Sequence, residues 1–389
     1  VALLYRSNAQ SRVLEHQLFS SGVAYRVYGG LRFFERQEVK HALAYLRLIA
    51  NPDDDTAFMR VVNFPTRGIG ARSLEILQDA ARTFNTPLYQ TVPHLSGKPG
   101  AALGHFVGLI ERLRTETAPL PLHEIIEHVI EMSGLRAHYT AEKEGQERLE
   151  NLDELINAAV NFNAEAGAAY ETEEGAGDGS ALAGFLAHAS LEAGDHQADA
   201  GTEAVQLMTV HAAKGLEFDV VFLSGLEEGL FPHENSILES DGLEEERRLM
   251  YVAMTRARQR LYISFTQSRM LHGQVRYNLR SRFLEEIPEA LTKWLTPPNP
   301  RRSFVSEPSP RYYNPGASKP AGLGMPPPPP MKSRDLGGLR IGQSVRHARF
   351  GDGVIVSAEG SGSDARVQVK FAEAGSKWLM LSVAKLTAV

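Results

Sequence analysis

The chain has 389 residues, 41 Lys and Arg against 47 Asp and Glu for a formal charge of −6, and no cysteine. That length accommodates two or three cores, and the mild negative balance excludes a uniformly basic nucleic-acid coat while leaving room for a locally basic groove. Without cysteine there is no disulfide, thiolate metal site or Cys nucleophile, and no apolar run reaches the roughly 18 residues of a membrane span.

In chain order, period and run length predict a buried strand at Ala2–Tyr5, a helix over Ser11–Ser20 and a second strand at Tyr25–Tyr28. Val1 already lies in a strand-like run with no basic-then-apolar leader, which is the expectation for an intracellular chain cut from a longer one. Apolar residues at 39, 42, 43, 46 and 49 share one face and predict a helix over Glu38–Ile49. Further helical patterns cover Ala71–Thr83, Ala101–Thr115, His123–Met132 and Arg148–Ala164. From Leu149 to Ala213 there are 12 acidic residues and no Lys or Arg, and Glu171–Ser180 has the composition of a disordered loop. Val205–Val210 and Val220–Leu223 read as parallel strands buried on both faces. A helix over Glu244–Arg258 and a strand at Leu261–Thr266 follow, within a stretch, Arg247–Arg282, that holds nine arginines and no lysine.

This order predicts an α/β, parallel-sheet domain (1–28 plus 203–287) interrupted by a mostly helical insert (29–202), because Ala2–Tyr28 alone cannot bury its strands. Three domains in series is the rival arrangement. Residues 288–336 are the expected linker: 13 of the 21 prolines fall between Pro288 and Pro330, a density that precludes helix and central strand. Residues 337–389 then predict a small five-stranded SH3-like barrel, with a Gly351-Asp-Gly turn, alternating Val367, Val369 and Phe371, and Trp378, Met380 and Leu386 completing its apolar set. Residues 297–351 carry nine basic and two acidic side chains, so tether and barrel suit a nucleic-acid clamp, a protein dock or a plain solubilising tail.

Three segments carry chemistry. Thr209-Val-His-Ala-Ala-Lys-Gly-Leu-Glu217 is a polar loop between two buried strands, offering a hydroxyl, an imidazole, an ammonium and a carboxylate; loops at the ends of parallel strands bind ligands, although a solvated connection has the same composition. In Glu244–Arg260 the apolar stripe runs through Leu249, Met250, Ala253, Met254 and Ala257 to Leu261, and Arg256 lies at its edge. A guanidinium there needs an anion, either a carboxylate of the same domain or a phosphate from outside. A third segment, Pro65-Thr-Arg-Gly-Ile-Gly-Ala-Arg-Ser73, combines two glycines with a helix start, which suits either a phosphate or an ordinary cap.

Thr209–Phe218 and Glu244–Ala257 resemble motifs V and VI of the UvrD/PcrA-type superfamily 1A DNA helicases. Arg6–Arg12 resembles the opening of their second motor domain, and Tyr28–Arg36 and Asn51–Asp55 the entry to its insert. The resemblance spans most of residues 1–287, and Ile341–Val389 resembles the Tudor-like domain at the C-terminus of such helicases. It implies a RecA-like second motor domain with an inserted domain. Arg256 would be an arginine finger on the γ-phosphate, and Glu217, with Lys214 and Gly215, would serve the nucleotide. Arg6, Asn8, Arg12, Thr209, His211 and His233 would contact single-stranded DNA. His272, where family members often have Phe, would stack on it, and Arg67, Gly68 and Gly70 would contact duplex ahead of the fork. No phosphate-cradling Gly-x-x-x-x-Gly-Lys-[Ser/Thr] occurs, since Gly97-Lys98 runs into Pro99; in the family that cradle and the Mg²⁺ ligands sit on a first motor domain preceding the present Val1.

The resemblance thus implies ATP with Mg²⁺ as cofactor, half an ATP site here, and no hydrolysis by this chain alone. The implied partners are single-stranded and fork DNA, RNA polymerase through the C-terminal domain, and nucleotide-excision or mismatch repair proteins. The implied setting is a bacterial cytoplasm, nucleoid-associated, with no membrane. Two alternatives stay open: an ATPase-inactive scaffold binding DNA and RNA polymerase, and a helicase–nuclease subunit, whose acidic nuclease domain would stand where the Pro-rich tether and barrel do.

Overall fold

The structure, a computed structural model, describes residues 1–143, 145–169, 179–193, 203–271, 274–296, 339–360, 365–371 and 374–388. Among these, no helix is long and apolar enough to cross a membrane. The acidic loop expected at Glu171–Ser180, the Pro326–Pro330 run and His272 lie largely or wholly outside the described residues.

The first compact unit, Val1–Arg282, is organised by one short apolar strand. In β1 (Ala2–Tyr5), Ala2, Leu4 and Tyr5 are fully buried, as a strand covered on both faces and flanked on both edges must be. After α1 (Ser11–Ser20) comes β2 (Tyr25–Val27), one residue shorter than expected. The chain then enters a long helical stretch: α2 (Gln37–Ala50), α3 (Asp55–Val61), α4 (Ala71–Phe84), α5 (Leu88–Thr91), α6 (Gly97–Thr117), α7 (Leu122–Met132), α8 (Leu135–Ala141), α9 (Gly145–Ala169) and α10 (Gly179–Glu192). These helices share a core in which Tyr45, Leu46, Phe58, Phe106, Ile126, Tyr139 and Ile156 are fully buried. Local signals set their ends: the Asp54 carboxylate accepts the Ala57 N–H at 2.9 Å to start α3, and Asn85 in the left-handed region closes α4.

The chain returns as β3 (Val205–Thr209), which lies beside β2, so the helical stretch leaves and re-enters at adjacent strands. β4 (Phe218–Leu223), the short α11 (Glu234–Ile237), α12 (Gly242–Met254) and β5 (Ala257–Ile263) complete a five-stranded parallel sheet of order β2-β3-β1-β4-β5. The helix expected to reach Arg258 ends four residues earlier. α12 stops at Met254, the Thr255 hydroxyl donates to the Tyr251 and Val252 carbonyls at 3.0 Å each, and Ala257 onward pairs with β4. Pairing with β4 overrides the helical preference of Arg-Ala-Arg-Gln-Arg. A hairpin that sequence reasoning missed follows, β6 (Ser268–Leu271) with β7 (Gln274–Tyr277).

The second unit, Phe283–Val389, contains a five-stranded antiparallel sheet: β8 (Ser344–His347), β9 (Gly351–Glu359), β10 (Arg366–Phe371), β11 (Gly375–Met380) and β12 (Thr387–Ala388), in the order β11-β10-β9-β8-β12. Val345, Ile355, Val367, Val369 and Phe371 form its core. Trp378 and Met380 do not join that core: they are 43% and 51% exposed. Leu379 packs inward opposite Val367, and the two-residue alternation of a strand turns its neighbours outward. The division between the units falls at 282/283, and the first unit holds the parallel sheet and the helical stretch together.

Candidate functional site

Tyr5 and Thr209 are register partners, so the segments leaving β1 and β3 emerge side by side at the C-terminal edge of the sheet. The Gln10 side-chain oxygen accepts the N–H groups of Arg6 and Ser7, at 3.0 and 2.8 Å, and folds the chain into a tight turn. The Arg6 guanidinium forks onto Glu246 of α12: Nε donates to both oxygens at 3.0–3.1 Å and Nη2 to Oε1 at 2.6 Å. Glu246 also accepts the His233 N–H at 3.2 Å. Its burial would raise its pKa, but the bonds and charge from Arg6 outweigh that and hold it below the usual carboxylate range. His211 is held below its ordinary value by partial burial and then by the Arg6 charge, so its ring is neutral near pH 7. The Thr209 hydroxyl accepts the Ala212 N–H at 3.2 Å.

α9 lies against this edge with one polar face. Glu147, Glu150, Asn151 and Glu154 recur at the spacing of a single helical side. Glu147 accepts from Asn8, and Glu150 accepts from Ser7 and lies 3.2 Å from His233 Nε2. Asn151 accepts from Arg36 at 2.8 Å, and Glu154 accepts from Arg12 Nε at 2.5 Å. Burial opposes ionisation of Glu150, yet the bonds from His233 and Ser7 leave its pKa lowered. The structure therefore gathers Arg6, Asn8, Thr209, His211 and His233 in one place, with Arg12 nearby. It also engages Arg6, Asn8, Arg12 and His233 with the chain's own carboxylates, which the sequence reading did not anticipate.

The second cluster is at the other edge of the sheet. Phe218 pairs with Ala257, about six residues below the level of Thr209, or roughly 20 Å along the strands. The loop from Val210 to Glu217 spans that drop, with Gly215 at φ +86°. Lys214, Gly215 and Glu217 are exposed. Arg256, in the connection between α12 and β5, brackets Glu217: its carbonyl accepts the Phe218 N–H at 2.9 Å and its Nη1 donates to the Leu216 carbonyl at 2.7 Å. Its other bonds go to the Val252 carbonyl and the Thr255 hydroxyl, 3.0 Å each. Among the described residues, Arg256 has neutral oxygens as its partners, whereas Arg247, Arg248, Arg258, Arg269 and Arg282 of the same Arg-rich stretch all pair with carboxylates. Its charge is thus held in place and uncompensated. Glu227, another residue missed from sequence, is buried and accepts from Thr266, Arg269 and Asn278 at 2.8–2.9 Å, anchoring the β6–β7 hairpin.

In the helical stretch, Arg67 is committed to structure. It donates to the Val61, Pro65 and Ser133 carbonyls at 2.8–3.2 Å and lies over the Tyr45 and Phe106 rings. Asn63 accepts the Arg67 and Ile69 N–H groups, and Ile69 is buried like a plug. Gly68 and Gly70 remain exposed on either side of it, at the start of α4.

Residues 1–268 match the UvrD-like helicase C-terminal domain family, and residues 341–387 match the PcrA/UvrD tudor domain. The chain is 47% identical over its full length to DNA helicase II of Salmonella typhimurium and of Escherichia coli, covering 51% of each. It is 38% identical to ATP-dependent DNA helicase PcrA of Bacillus subtilis, with 99% of the chain matched to 52% of that protein. It spans about half the length of these relatives.

Proposed function

Since the chain belongs to the UvrD-like helicase C-terminal domain family, we propose that it supplies one half of the ATP site of a 3′-to-5′ DNA helicase or translocase. The other half, with the phosphate cradle and Mg²⁺ ligands, would come from a first motor domain. The observation that carries the reading is Arg256, an oriented guanidinium with neutral partners beside the exposed Glu217. Poised against a γ-phosphate it would stabilise charge spreading over the transferred phosphoryl group, and Glu217 would accept from the nucleotide sugar. ATP binding would close the cleft, and hydrolysis would reopen it.

The nucleic-acid side of the proposal uses the opposite edge of the sheet. Thr209 and His211 offer a hydroxyl and a neutral imidazole to sugar and phosphate, and Arg6, Asn8 and His233 stand around them. Engaging a strand there requires Asn8 and His233 to exchange Glu147 and Glu150 for phosphate. Gly68 and Gly70 would let duplex backbone approach the start of α4. In this reading 1–28 plus 203–287 form the motor domain, 29–202 the insert, 288–336 a linker and 337–389 a partner-docking module for RNA polymerase. The cellular role would be DNA repair at the nucleoid.

The test is DNA-stimulated ATP turnover of this chain alone and mixed with a separately produced first motor domain. Silence alone and turnover on mixing is the expected result, with Arg256→Lys in the mixture reducing turnover by about 10³-fold or more while nucleotide binding persists. Turnover by the chain alone, or full turnover with Arg256→Lys, would refute the half-site.

A further inference from the structure

His16 of α1 and His188 and Glu192 of α10 converge on one point. His188 and Glu192 are four residues apart on one helical face, and His16 reaches them from the other side of the seam between the parallel-sheet region and the helical stretch. Both imidazoles address the same carboxylate oxygen: His16 Nδ1 lies 2.5 Å and His188 Nε2 3.4 Å from Glu192 Oε1. One donor atom from each of the three side chains lies within 4.8 Å of the others.

Protein hydrogen bonding leaves this cluster incompletely satisfied. His188 Nδ1 is buried with no hydrogen-bond partner among the described residues, and the ring's contact with Glu192 is long. With no protein partner at Nδ1 and only a 3.4 Å contact at Nε2, hydrogen bonding holds the His188 ring weakly and leaves Nε2 able to take another partner. Arg12 lines the same small cavity, but its charge is matched by Glu154 at 2.5 Å, so the cluster keeps the net negative character of Glu192.

We propose that His16, His188 and Glu192 form a three-ligand site for a zinc-class divalent cation that ties α1 to α10. Two imidazole nitrogens and one carboxylate suit Zn²⁺, Co²⁺ or Ni²⁺, whereas Mg²⁺ and Ca²⁺ demand oxygen ligands. Bonds of about 2.0–2.2 Å in tetrahedral geometry set donors about 3.3 Å apart. His188 Nε2 already stands at that spacing from Glu192, and His16 reaches it by withdrawing under an ångström. Coordination takes the lone pairs of His16 Nδ1 and His188 Nε2, so each neutral ring would carry its proton on the other nitrogen, His16 Nε2 and His188 Nδ1. The side chains of His16 and His188 are 21% and 31% exposed, which gives a hydrated ion an entry path and leaves a fourth position for water.

The test is a Co²⁺ titration of the whole chain, read by visible absorption, followed by displacement with Zn²⁺. One equivalent should produce the intense bands of four-coordinate cobalt, bleached by Zn²⁺ and untouched by excess Mg²⁺. His188→Gln should weaken this site by at least about 100-fold, since loss even of an outer-sphere partner costs about 10–100-fold. Zn²⁺ should raise the thermal midpoint of the parent chain and not of the variant. The isosteric Glu192→Gln serves as the second variant should His188→Gln not fold. No four-coordinate cobalt spectrum in the parent chain, or the same affinity in parent and variants, would overturn the site.

Discussion

Glu246 shows how one side chain can organise a site. It occupies the apolar face of α12, three and four residues before the buried Leu249 and Met250, and the Arg6 fork compensates its burial. Glu246→Ala would strand that guanidinium, and breaking such a pair costs about 3 kcal/mol. The urea midpoint should fall accordingly at constant m-value; a loss under about 1 kcal/mol would mean that Arg6 finds another partner. Its lowered pKa also has a sign: the unfolded chain binds the extra proton, so this stability is present above the ordinary carboxylate range and lost as acid takes pH through the folded value. His41 adds a second acid-labile element. Burial first, then the charges of Arg60, His138 and Arg148, push its ring from 6.5 down to about 4, and it packs 3.8 Å from the Phe64 ring. Between pH 6.5 and 4 the unfolded chain takes up a proton that the folded chain refuses, costing up to roughly 3 kcal/mol. His41→Gln should flatten the slope of stability against pH in that window; an unchanged slope would assign it elsewhere. A glutamate on an apolar stripe is a visible signal in sequence, but its partner 240 residues away is not.

At the scale of elements, what was legible followed periodicity and what was not followed pairing. β1, α1 and β3 are legible nearly to the residue because their apolar spacing is decided locally. The acidity of α9 was equally plain, yet its purpose lay in Asn8, Arg12 and His233, about 80 to 140 residues distant, and no period reports which surface a helical face meets. The same limit explains α12, where pairing with β4 takes Arg256 out of the helix. The connection places Arg256 beside Glu217, the arrangement on which the proposed function rests. The turn before α4 separates two glycines that look alike in sequence. Gly68 sits at φ +73° and Gly70 does not, and a Cβ at either meets open space. Gly68→Ala should therefore cost about 1 kcal/mol by backbone strain alone, and Gly70→Ala should fall within about 0.5 kcal/mol of the parent. Equal losses in chemical denaturation would show that something other than φ constrains the turn.

For the molecule as a whole, the cores around Tyr45 and around Val369 share no residue, so the two units should unfold as separate transitions. Deleting 337–389 should remove one transition, leave the midpoint of the other within about 2 °C, and, on the docking role proposed for that module, abolish retention of RNA polymerase in a pull-down while DNA-dependent turnover in the reconstituted mixture persists. A large shift in the remaining midpoint would mean that the units unfold together, and unchanged retention would place the docking surface elsewhere. The sheet order has a consequence for biosynthesis. Val27 is paired with Leu207, roughly 180 residues later, and β3 lies between the two strands made first. At about 5–20 residues per second, a translating ribosome releases β1 and β2 on the order of ten to forty seconds before the strand that joins them. By the end of that interval the helical stretch, whose core runs from Phe33 to Ala189, has emerged ready to fold. It would act as the nascent chain's first finished structure, delivering β3 to two strands that have waited for it.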